Sequence, residues 1–84
     1  MKVSKKAIDE YMVIADKYWQ ETDTDKLPKM AMQKRATAEM CFGGMTRLPD
    51  FIDSSVRICP GVPVNTVCTM LRVLGVEVTD DGGV

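Results

Sequence analysis

Chemistry in this 84-residue chain would have to come from Cys41, Cys59 and Cys68, twelve carboxylates and eleven basic side chains, because there is no histidine. Without an imidazole the usual neutral-pH base is missing, and with it Cys2His2 zinc sites and every histidine-dependent triad. The thiols lie 18 and 9 positions apart, so they offer neither a Cys-x-x-Cys pair nor a disulfide framework, and a reducing, cytoplasmic setting is expected. On helical faces they read as small buried hydrophobes. Asp23 and Asp25 open like a calcium loop, but the glycine position holds Pro28 and the closing glutamate is absent. The other carboxylates are spread among lysines as on solvated helix faces, with no two paired in an apolar setting. The expectation is a non-enzyme without catalytic residues, metal, cofactor or small-molecule substrate.

Two short motifs add little to this. Asp53-Ser54-Ser55 resembles the Asp-Ser attachment site of acyl carrier proteins, which would imply a phosphopantetheine arm at the start of a helix. No leucine follows the serine, and Pro60-Gly61 cuts short the helix that should, so a polar helix surface is the better reading. Gly43-Gly44 is not followed by Gly-Lys-Ser/Thr and cradles no phosphate.

Composition sets the frame that must hold these groups. With 45% hydrophobic residues, 27% charged residues and a net charge of -1, the chain is too apolar and too nearly neutral to stay disordered. Folding at this size hides about 60 to 65% of the unfolded surface, so one modest core is expected and no large active-site cavity. A pI near 5.3 removes the general attraction to phosphate that most nucleic-acid modules carry. Lys2, Lys5 and Lys6 hint at a basic leader, but Asp9, Glu10 and Asp16 interrupt the run that a secretory or membrane segment of about 20 residues would need. No membrane association is expected.

The elements form an all-α domain of about four helices over residues 1–79, with an acidic tail, 80–84, that has little to bury and should fray. Ser4 can cap a first helix running to about Thr22, whose stripe of Ile8, Tyr11, Met12, Ala15, Tyr18 and Trp19 faces the core. Pro28 suits the first turn of a second helix that Gly43-Gly44 ends. A third segment opening at Pro49 carries Phe51, Ile52, Val56 and Cys59 at weaker helical spacing, with a short extended run over residues 55–59 as the alternative. After Pro63, a clean stripe of Val64, Val67, Cys68, Leu71 and Leu74 closes at Gly75, a natural left-handed C-terminal residue. Val76 and Val78 then suit a brief extended tail.

The second helix is apolar on two sides. Met30, Ala31, Ala38, Cys41 and Phe42 share one face, with Lys34 among them packing its stem while its ammonium reaches the edge. Met32, Ala36 and Met40 recur at i, i+4 and i+8 on the other. Two arrangements follow. In one, this helix is central and packed on both sides by the first and fourth helices. In the other, Met32, Ala36 and Met40 form a protein-binding face for a partner or a second copy, methionine being suited to surfaces that repack. The latter makes the chain a small inhibitor, adaptor or regulatory protein.

The alternative is DNA binding. Residues 65–76 resemble the recognition helix of winged-helix regulators and the closing helix of small phage-type repressors and antitoxins, a likeness that covers 12 to 15 residues. It implies a helix-turn-helix with Asn65, Thr66, Thr69 and Arg72 facing the groove, Arg72 on guanine. The single positive charge of that helix, the acidic tail and the lack of a returning wing weigh against nucleic acid.

Overall fold

Ser4 caps the first helix as its position implies: its hydroxyl oxygen accepts from the Ala7 amide at 3.1 Å. In the computed structural model, which describes residues 2–43 and 47–80, this helix is α1 (Lys5–Gln20). It is followed by α2 (Leu27–Phe42), α3 (Arg47–Ile58) and α4 (Val64–Val73). The fold is all-α in character, and the segment around Pro49 is helical. The extended alternative for residues 55–59 fails: α3 runs through Ile58, and the Cys59 amide still donates to the Ser55 carbonyl at 3.0 Å, because Ile52 and Val56, one turn apart, are both needed in the core, where they are buried. The helix ends at Ile58, ahead of Pro60.

Two short strands, β1 (Lys2–Ser4) and β2 (Glu77–Thr79), pair in parallel, with Val3 opposite Val78. The extended tail is thus a strand, and its partner is the segment that looked like a basic leader. Parallel strands need a long crossover; here all four helices form it. Gly75, at φ 94°, takes the left-handed conformation that turns the chain from α4 into β2. Asp80, the last described residue, is tied back by Arg72 at 3.0 Å; the remainder of the tail lies outside the described residues.

The central helix is α1. It packs against α2, α3 and α4, whereas α2 lies mainly on α1 with a smaller contact to α3. Ile8, Tyr11, Met12 and Ala15 of α1 meet Phe42, Leu48, Ile52, Val56, Val67, Cys68 and Leu71 in one core. The expected stripe stops short, however. Tyr18 is half-buried and Trp19 is 39% exposed, because α1 outruns the core at its C-terminal end. Cys59 is exposed just beyond α3, not buried on its face, and Leu74 is exposed past the end of α4. No helix among the described residues is long and apolar enough to cross a membrane.

Candidate functional site

Because α2 rests on α1 with one side only, its opposite side is left uncovered. Met32 is 72% exposed, Met40 is 87% exposed, and Ala36 between them is exposed too. The structure therefore brings all three expected binding residues together on one open helix face. A shallow groove of about 380 Å³ adjoins it between α1 and α2, walled by Val13, Ile14, Met40 and Cys41, with Asp9 and Glu10 at its edge. Val13 is 49% exposed, so it extends the apolar surface from α2 onto α1.

The inner side of α2 differs from expectation. Of Met30, Ala31, Ala38, Cys41 and Phe42, only Phe42 is fully buried, set edge-on to Tyr11 with ring centroids 5.5 Å apart. Lys34 does not run out to solvent. Its ammonium ends inside, donating to Asp53 Oδ2 at 2.9 Å and to the Tyr11 hydroxyl at 3.3 Å. The Tyr11 hydroxyl in turn donates to Asp53 Oδ1 at 2.9 Å. The side chains of Lys34 and Asp53 are only 17% and 14% exposed. The ammonium also sits 5.3 Å from the centre of the Tyr18 ring and 5.8 Å from that of Trp19. These contacts join α1, α2 and α3 at one point.

Sequence reasoning missed this cluster. Its signal was a lysine within an apolar stripe, whose ammonium, if it stays inside and does not reach the edge, needs a carboxylate at a matching place on another helix. Asp53 is that carboxylate, next to the buried Ile52. Burial, then the hydrogen bond to Asp53, push the Tyr11 phenol far above its ordinary range, which keeps it protonated. Burial also raises the Cys41 thiol, helped by the Glu10 carboxylate, and burial raises that of Cys68. Neither sulfur is a poised thiolate. Among the described residues no group of three histidine, cysteine or carboxylate side chains is placed to hold a metal.

On α4, Asn65, Thr66, Thr69 and Arg72 are all exposed. Thr69 donates its hydroxyl to the Asn65 carbonyl at 2.9 Å. The Arg72 guanidinium is committed to its own chain, donating to the Val78 carbonyl at 3.1 Å and to Asp80 at 3.0 Å. No family model, curated protein or solved structure matches the chain.

Proposed function

We propose that this chain is a small, non-catalytic protein-binding module, an inhibitor, adaptor or regulatory protein, that docks through Met32, Ala36 and Met40. The observation that supports this reading is the 72% and 87% exposure of two methionines two helical turns apart, with a small residue between them. Exposed apolar side chains standing singly are ordinary, but a row of them beside an apolar groove favours a contact surface. The unbranched thioethers can adapt to a partner's relief, while Ala36 lets a helix or loop approach closely. A standard interface of about 800 Å² per partner lies within reach of a domain of this size.

Affinity capture from the native host and sedimentation of the purified chain test this. Each compares wild type with the double variant Met32→Glu/Met40→Glu. The proposal expects a partner, or a second copy, to be retained by wild type and lost from the variant. Identical association of both proteins would overturn it. DNA reading through α4 has weaker support, since the arginine best suited to a guanine or phosphate is occupied by Val78 and Asp80.

A further inference from the structure

The open face of α2 presents two thioether sulfurs to solvent. We propose that Met32 and Met40 are a paired oxidation site, at which a peroxide turns the face from apolar to polar and thereby releases what is docked there. Release presupposes, and so rests on, the docking role proposed for Met32, Ala36 and Met40.

Access separates these two side chains from the other methionines among the described residues. Met40 and Met32 are exposed, whereas Met12 is buried and Met30 and Met70 are half-buried, Met70 against the core. An oxidant must reach the sulfur itself, so exposure sets the order of attack. Eight residues apart, the two sulfurs stand on one side of the helix, about 12 Å from each other along its axis. One docked surface covers both. Cys41, which walls the groove beside Met40, is a slower target: burial and the Glu10 carboxylate keep its thiol protonated, and the thiolate is the nucleophile. A thioether carries no proton to lose and attacks in its ordinary form.

The peroxide alone balances the step. A sulfur lone pair attacks the O–O bond, one oxygen passes to sulfur, and the other leaves as hydroxide and takes up a proton to become water. Sulfur loses two electrons and the peroxide gains them. Each sulfoxide then offers a strong acceptor where a partner offers apolar surface. Burying such an oxygen without a donor weakens binding about fivefold to a hundredfold. In the free chain both oxygens face water, while Phe42, which anchors α2 to the core, stays buried. The fold is therefore spared. A dithiol-dependent sulfoxide reductase reverses the change, forming a disulfide and releasing the oxygen as water.

The full chain and its Met32→Leu/Met40→Leu variant are treated with hydrogen peroxide. The variant keeps the apolar face, exposed Cys59 and every other oxidisable side chain. Peptide mass spectrometry maps the oxygens, and sedimentation and capture from the native host follow association. Met32 and Met40 should gain oxygen at least about fivefold faster than Met12, Met30 or Met70, with the melting temperature lowered by no more than about 4 °C. Oxidised wild type should associate at least about tenfold more weakly than untreated and recover after incubation with a methionine sulfoxide reductase and dithiothreitol. The leucine variant should associate equally before and after peroxide. Oxidation of Met30 or Met70 as fast as that of the pair, unaltered association of the doubly oxidised chain, or a leucine variant that peroxide also releases would overturn the proposal. Unaltered association removes the switch and leaves the docking surface standing, whereas an untreated chain that associates with nothing removes both.

Discussion

Lys34→Met removes one charge from a nearly closed ion pair and leaves the rest of the cluster standing. Asp53 then keeps a single described donor, the Tyr11 hydroxyl at 2.9 Å, and loses its cationic partner. Breaking a fully buried pair from one side costs about 3 to 5 kcal/mol, chiefly because the other charge is left unpaired. At 17% and 14% exposure, water reaches both groups in part, and a loss of about 2 to 3 kcal/mol is expected. For a domain of this size, 1 kcal/mol corresponds to about 4 to 8 °C in melting temperature, so the variant should melt roughly 10 to 20 °C lower. Urea unfolding followed by circular dichroism measures the change. Lys34→Met/Asp53→Leu completes a cycle: with both charges gone, the double variant should be more stable than the sum of the two single losses allows, by at least about 1 kcal/mol. A single-variant loss below about 0.5 kcal/mol, or strict additivity in the cycle, would refute the view that Lys34 clamps three helices.

Two further outcomes follow from the same geometry. Because the Tyr11 phenol is held protonated in the folded chain, its contribution is complete below the unfolded value near 10 and declines as the pH rises above it. Between wild type and Tyr11→Phe, the difference in unfolding free energy should shift by up to about 1.4 kcal/mol between pH 9 and 11; a pH-independent difference would contradict this. With Arg72 engaged by β2 and the chain slightly acidic, random duplex DNA should fail to bind in a fluorescence anisotropy titration even at low salt, and binding that weakens steeply with added salt would restore the DNA reading.

The helices were legible in the sequence where one rule acted alone. Ser4, Pro28, Gly43 and Gly75 mark ends that the structure keeps to within a residue or two, because caps and breakers act locally. The two faces of α2 were separable for the same reason: residues at i, i+4 and i+8 share a side in any helix. Which side would be covered was not legible, since that depends on α1 being central, a fact of packing between distant segments. The pairing of β1 with β2 across the whole chain was hidden likewise, three residues on each side being too few to show a period. Trp19 looked like core by spacing, and only the length of α1 beyond its neighbours places it at the rim of a cavity. Lys34 was misread because spacing identifies a lysine on an inner face but not the carboxylate 19 residues away that receives it.

Everything proposed for the methionine face depends on α2 turning two large apolar side chains to solvent. The unfolding free energy of Met32→Glu/Met40→Glu, determined beside its sedimentation and partner capture, probes that dependence most directly. Exposed surface substitutions change stability by about 0.5 kcal/mol or less each, so a variant within about 1 kcal/mol of wild type that no longer associates is the expected result. A loss of more than about 3 kcal/mol would mean that the two methionines are core, and association unaltered by two new charges would mean that binding happens elsewhere.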